Sequence, residues 1–300
     1  MSTDVTQPRP TAAQWLAGAR PRTLPAAVSP VLAGSGVAGW AGGFAPLPAL
    51  LALVVSLALQ VGVNYANDYS DGVRGTDANR VGPLRLVGSG LAAPTTVKTA
   101  AFASFGLAAL AGLALVVLCQ LWWLLAVGVA CILAAWYYTG GKHPYGYHGL
   151  GEVFVFVFFG LVAVSGTVLV QLGHIPWQTW PVAIGIGAIA CSILVANNLR
   201  DLRGDLAAGK RTLATRLGEA ATRWFYAALV AAAAAALALV AAATTWWALL
   251  GLVGIAMLVP AVRAVLGGAR GPALIAVLKA TGSAELIYAL GLAVGLTLGN

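Results

Sequence analysis

Charge is scarce in this chain: of 300 residues, 17 are Lys or Arg and nine are Asp or Glu, so 9% is charged while 60% is hydrophobic. Soluble domains carry roughly 25% charged and 45–50% apolar residues. Water is therefore excluded as the solvent for most of this surface. Cysteine is equally sparse. Cys119, Cys131 and Cys191 fall within or at the ends of apolar stretches, without the close spacing of a thiolate metal site or a disulfide framework. They read as small packing residues. No cleavable signal peptide is expected either, because a polar, Pro-rich N-terminus leads into an apolar stretch long enough to span a membrane.

What fills the chain instead is a series of nine apolar stretches, near residues 21–40, 47–66, 98–117, 121–138, 152–172, 181–199, 224–243, 246–266 and 281–299. At 1.5 Å per residue, each of about 18–21 residues covers a hydrocarbon core of about 30 Å. The expected fold class is all-α, a polytopic membrane protein with nine transmembrane helices. Residues 1–20 are expected to form a tail and a short interfacial helix, and residues 21–300 a single transmembrane domain.

The net charge of +8 and pI near 9.8 do not point to nucleic acid, because the charges are segregated. The connections after stretches 1, 3, 5 and 7 contain no charged residue, and every charge falls toward the side of the N-terminus, with Glu152 and Glu285 near helix starts. The positive-inside rule places that side in the cytoplasm. Expected location is thus the cell membrane, multi-pass, with the lipid bilayer as a partner.

The long polar connections on that side hold two acidic clusters. If the second helix continues through its polar end, Asn64, Asn67 and Asp71 lie at i, i+3 and i+7, with Asp68 four residues after Asn64 and Asp77 in the following loop. Asn197, Asp201 and Asp205 repeat at four-residue spacing at the end of the sixth helix. Such oxygen surfaces suit Mg²⁺, which binds through one or two carboxylates plus substrate phosphates and keeps several waters. Arg22, Arg74, Lys142, Lys210 and Arg211 are candidates to contact phosphate oxygens directly. A single Asp at a helix end is as readily a cap or an interfacial group. Two matched clusters on one side favour metal.

With Asn67-Asp68-x-x-Asp71 followed by Asp77, and Asp201-x-x-x-Asp205, the chain resembles the UbiA superfamily of intramembrane prenyltransferases. Within it, the runs Arg20-Pro21-Arg22-Thr23-Leu24-Pro25, Arg85-Leu86-Val87-x-Ser89-Gly90, Gly149-Leu150-Gly151-Glu152 and Gly209-Lys210-Arg211-Thr212-Leu213-Ala214 are most similar to the 1,4-dihydroxy-2-naphthoate polyprenyltransferases of menaquinone synthesis. The stretch Gly141-Lys142-His143-Pro144-Tyr145 is more basic than its counterpart in that group.

The resemblance implies a helical bundle around a central cavity, with both motifs at its cytoplasmic mouth. It implies transfer of a polyprenyl group from polyprenyl diphosphate to dihydroxynaphthoate, with loss of carbon dioxide, giving a demethylmenaquinone. Asp68, Asp71, Asp201 and Asp205 are the implied catalytic residues, holding Mg²⁺ with Asn67 and Asp77. Asn64, Arg22, Arg74, Lys142, Asn197, Lys210 and Arg211 are the expected substrate contacts. Tyr138 joins them as one of several aromatic residues, with Tyr65, Tyr69, Trp136, Tyr137 and Phe154, whose faces suit an allylic cation. Rival readings are a related enzyme with hydroxybenzoate, a haem or a sugar phosphate as acceptor, a transporter with intramembrane carboxylates, and a lipid phosphotransferase with one continuous acidic motif.

Overall fold

The structure, a computed structural model, describes residues 10–75 and 84–300. Asp77 and most of the expected N-terminal tail lie outside the described residues. Among the described residues there are helices and turns but no strands. The short helix α1 (Ala12–Gly18) is opened by a reciprocal Thr11–Gln14 capping box. Its Trp15 stands edge-on to Tyr65, with ring centroids 5.5 Å apart.

The bundle comprises, in chain order, α2 (Pro25–Trp40), α3 (Pro46–Arg74), α4 (Pro94–Cys119), α5 (Leu124–Tyr137), α6 (Gly151–Leu172), α7 (Thr179–Ala207), α8 (Leu213–Ala243), α9 (Trp246–Leu266) and α10 (Ala273–Leu298). Pro25, Pro46 and Pro94 open their helices, where a missing N–H costs nothing and the fixed φ is already helical.

Seven of these helices, α3, α4 and α6 to α10, are long and apolar enough to cross a membrane. The other two expected spans are shorter than anticipated. α2 has 16 residues and reaches about 24 Å, because Pro21–Thr23 forms a 3₁₀ turn ahead of it. α5 has 14 residues and reaches about 21 Å, because Gln120 adopts a left-handed φ of 57° and Leu121 to Trp123 turn before the helix begins. Hydropathy sees only the apolar run and cannot distinguish its helical part from a turn.

Glu285 is a second correction. Expected near a helix start, it lies more than three turns beyond the Ala273 start of α10 and is fully buried. The apolar stretch begins at residue 281, but the helix itself runs back through Lys279 to Ala273.

Neighbours in sequence pack together, α3 with α4, α7 with α8 and α9 with α10, while α10 also packs on α2 and closes the ring. Lipid offers no hydrophobic drive between helices, so close approach of small residues has to supply the attraction. The α6–α7 seam illustrates this: a Cβ on Gly160 would come within 2.8 Å of the Gly187 Cα. Two apolar cores result. One joins α2 with α6 to α10, and the other joins α1, α3, α4 and the end of α5.

Between these cores lies a cavity of about 450 Å³, walled by α2 to α6. Part of its α6 wall, Phe156–Val162, is a π-helical stretch, a local form frequent at functional sites. The polar part of α3 contributes Gln60, Asn64 and Asn67 to its lining.

Candidate active site

α3 continues as helix through its polar end and stops at Gly75, whose φ of 71° closes the last turn. Asn64, Asn67, Asp68 and Asp71 are therefore presented by one helix, and all four are buried, Asp68 to 1% exposure and Asp71 to 4%. Buried carboxylates require partners. Both are supplied by elements remote in sequence.

Asp68 accepts hydrogen bonds from two consecutive backbone amides, Leu86 N at 2.7 Å and Val87 N at 3.0 Å. It thereby pins the segment before α4 over the end of α3. That segment carries Arg85, whose Nη2 donates to Asp71 Oδ2 at 3.2 Å. The other Asp71 oxygen, Oδ1, accepts a short hydrogen bond from the Tyr147 hydroxyl and lies 3.5 Å from Lys210 Nζ. Lys210 belongs to the α7–α8 connection, where its backbone N–H donates to the Asp205 carbonyl at 2.8 Å. The end of α3 is thus in contact with the segment that comes after the second acidic motif.

At the end of α7, Asp201 is held by its neighbour Arg200, with Nε to Oδ1 and Nη2 to Oδ2 both at 2.7 Å. The same guanidinium donates to Asn197 Oδ1 at 2.9 Å. Asp205 lies one turn further on. Among the described residues, no three His, Cys, Asp or Glu side chains gather closely enough to hold a metal by themselves. The donors are nevertheless hard oxygens, as Mg²⁺ demands, and this ion usually completes its octahedron with substrate phosphate and water. The donor chemistry fits an ion shared between α3, α7 and a diphosphate.

Other expected site residues make contacts within the protein or lie exposed. Arg74 donates through Nη1 and Nη2 to the carbonyls of Thr139 and Gly141, bracing the α5–α6 connection. Asn64 donates to the Ala19 carbonyl at 2.8 Å and the Thr23 hydroxyl at 2.9 Å, tying α3 to the N-terminal segment while lining the cavity. Arg22, Lys142 and Arg211 have exposed side chains. The Arg211 backbone N–H donates to the Tyr147 carbonyl at 3.0 Å.

Tyr138 lines the cavity and meets Tyr145 edge-on, with centroids 5.5 Å apart, while Tyr145 stacks on Phe154 at 3.9 Å. Burial beside Tyr138 pushes the Tyr145 phenol up, so it stays a donor, bonded to the Ala134 carbonyl at 2.8 Å. Asn67, also at the cavity, accepts from Thr139 Oγ1 at 2.6 Å.

Residues that the motifs did not single out as site members are Tyr147, Arg85, Thr139 and Arg200. Arg85 sits inside a run that carries the resemblance and Arg200 directly precedes Asp201 of the second motif, so their charge is a usable signal. Tyr147 offers none, since a tyrosine in a membrane-edge connection is ordinary.

In chemical terms, an apolar cavity with aromatic walls reaches Asn64 and Asn67 on the polar part of α3, next to carboxylates that Arg85 and Lys210 accompany. That suits a ligand with a long apolar tail and a multiply charged head. Comparison with known proteins agrees. The sequence matches the UbiA prenyltransferase family over residues 27–296. It is 53% identical over 288 residues to the 1,4-dihydroxy-2-naphthoate octaprenyltransferase of Mycobacterium tuberculosis, covering 96% of this chain and 98% of the relative. Against the Escherichia coli protein of the same name it is 42% identical over 222 residues, covering 72% of each. The fold matches that of a UbiA homologue from Archaeoglobus fulgidus bound to GPP and Mg²⁺, with a TM-score of 0.64, 14% identity, and coverage of 95% of this chain and 99% of the other. With helices long and apolar enough to cross a membrane and a sequence match over nearly its whole length, the chain belongs to the UbiA prenyltransferase family.

Proposed function

We propose that this protein transfers a polyprenyl group from polyprenyl diphosphate to 1,4-dihydroxy-2-naphthoate, with loss of carbon dioxide, yielding demethylmenaquinone. The observation that carries the reading is the contact between the acidic end of α3 and the connection that follows the α7 motif, Lys210 Nζ standing 3.5 Å from Asp71 Oδ1, beside an apolar cavity that Asn64 and Asn67 line. The name of the 53% identical relative supports the acceptor. The cavity would take the prenyl tail among α2 to α6 and leave the diphosphate at the polar mouth.

Mg²⁺, when bound between Asp68, Asp71, Asp201 and Asp205, would supply the positive charge that lets carboxylates and a diphosphate share one site. Asn67 adds an amide oxygen to the α3 side of that donor set, and Asp77 is the further ligand implied by its motif. Lys210 and Arg85, already beside Asp71, are placed to stabilise charge that develops on the departing diphosphate. As the allylic C–O bond breaks, its electron pair leaves with the diphosphate. The electron-rich ring then forms the new C–C bond at the carbon carrying the carboxylate, and the C–CO₂ bond gives its electrons back to the ring. Tyr138 and the stacked Tyr145–Phe154 pair present aromatic faces beside this point. The segregation of charge supports a cytoplasmic mouth in the cell membrane.

The deciding experiment incubates purified protein with Mg²⁺, a polyprenyl diphosphate and a panel of dihydroxynaphthoate, 4-hydroxybenzoate, haem and a sugar phosphate. Prenylated product and CO₂ in equal amounts from dihydroxynaphthoate alone is the expected result. Product only from another acceptor overturns the assignment.

A further inference from the structure

Tyr147 touches both the acidic end of α3 and the α7–α8 connection. It lies in a 3₁₀ turn, Tyr145–His148, within the α5–α6 connection. Its hydroxyl donates to Asp71 Oδ1 at the end of α3. Its carbonyl accepts from Arg211 N at 3.0 Å in the α7–α8 connection, and the next carbonyl, that of His148, accepts from Arg216 Nη2 at 2.8 Å. Two cations lie over its ring, one from each side of the chain's paired motifs: Arg74 Cζ is 5.4 Å and Lys210 Nζ 4.4 Å from the centroid.

Each contact has a physical consequence. A hydroxyl donating to a carboxylate is a charge-assisted bond, strong enough to select one orientation of the Asp71 side chain. The ring quadrupole attracts Lys210 and Arg74 to its faces and reduces the repulsion between them as they converge. The α7–α8 connection turns at Gly209, whose φ of 72° few other residues adopt, and Gly218, at φ 79°, breaks the helical path inside α8 beyond it. Gly149, at φ 76°, allows the other approach: a Cβ there would stand 3.1 Å from the Arg211 carbonyl and 2.9 Å from Arg216 Nε.

We propose that Tyr147 is a positioning residue that holds the α3 and α7 acidic ends in register, its hydroxyl orienting Asp71 and its ring seating Lys210 for the diphosphate. The inference rests on the function proposed above. It separates two contributions that different substitutions remove. Tyr147→Phe deletes the hydroxyl bond and keeps the ring. Tyr147→Leu deletes both.

The test titrates inorganic pyrophosphate into purified protein at a series of Mg²⁺ concentrations by calorimetry, beside steady-state kinetics and thermal unfolding of each variant. Tyr147→Phe is expected to raise the Mg²⁺ concentration for half-maximal pyrophosphate binding by about tenfold, the scale of one hydrogen bond to a charged group. The KM for polyprenyl diphosphate at saturating Mg²⁺ should stay near that of the unsubstituted protein. Tyr147→Leu is expected to raise that KM as well, by about tenfold. A purely structural role would lower the unfolding temperature and the active fraction while leaving both constants unmoved, and that result overturns the proposal. If the unsubstituted protein binds no pyrophosphate with Mg²⁺, the functional reading fails instead.

Discussion

Lys210 Nζ stands 3.5 Å from Asp71 Oδ1, so the cation offered by the α7–α8 connection is a counter-charge for a carboxylate at the end of α3. The contact joins two motifs that are remote in the chain. A diphosphate bound at the mouth would meet Lys210 on a flexible stem, a compact point charge suited to phosphate. Lys210→Met is therefore expected to raise KM for polyprenyl diphosphate by about 10- to 100-fold. Initial-rate measurements across a salt series check this, and an unchanged KM contradicts it.

Asp68 has a structural task as well as its proposed chemical one. Its carboxylate satisfies the amides of Leu86 and Val87, and leaving a buried donor unsatisfied costs about 1–3 kcal/mol. Asp68→Ala is thus expected to lose activity and to unfold at a lower temperature in detergent. Asp201→Asn, which keeps an amide oxygen for the adjacent Arg200, is expected to lose activity with little change in unfolding temperature. Differential scanning fluorimetry beside turnover separates the two. Equal thermal losses count against this division.

The cavity offers a test of tail placement. Gly166 in α6 and Gly128 in α5 both line it, and a Cβ at either would meet no atom within 4 Å. Gly166→Phe and Gly128→Phe should fold, because phenylalanine is no worse a helix former than glycine. Each is expected to cut turnover of long-chain polyprenyl diphosphates by at least about tenfold while sparing a short-chain donor, the scale of one blocked apolar contact of about 1.4 kcal/mol. Rates with donors of different length measure this. Equal losses for all lengths contradict the tail assignment.

Glu285 is fully buried in α10, and neither carboxyl oxygen has a hydrogen-bond partner among the described residues. Such a group costs stability. Glu285→Leu is expected to raise the unfolding temperature, by about 1–3 kcal/mol in stability, and to keep turnover. A folded, inactive Glu285→Leu protein would show that the carboxyl acts in the reaction.

Much of this architecture stems from local chemistry. The apolar runs, the polar end of α3 and the four-residue spacing of Asn197, Asp201 and Asp205 locate the helices and the acidic ends from residue type alone. The partners of those acids are not local, because they depend on which connection crosses which helix end. Arg74, read as a phosphate contact, also braces Thr139 and Gly141, a bond set by the path of the α5–α6 connection. Tyr147 is silent in the sequence because a single aromatic at a membrane edge carries no spacing signal. Helix ends are similarly hidden: α5 begins late because Gln120 turns left-handed, and α10 begins early because its apolar first turns, residues 273–278, are parted from the rest of the run by Lys279, Thr281, Ser283 and Glu285.

A double-substitution cycle on kcat/KM for polyprenyl diphosphate, using Asp71→Asn, Asp201→Asn and the pair, tests most directly whether the two helix ends grip one diphosphate. If they act as a unit, the double variant is expected to be no more than about threefold worse than the poorer single one. Losses that multiply fully would mean that the α3 and α7 carboxylates act independently, which contradicts a shared site.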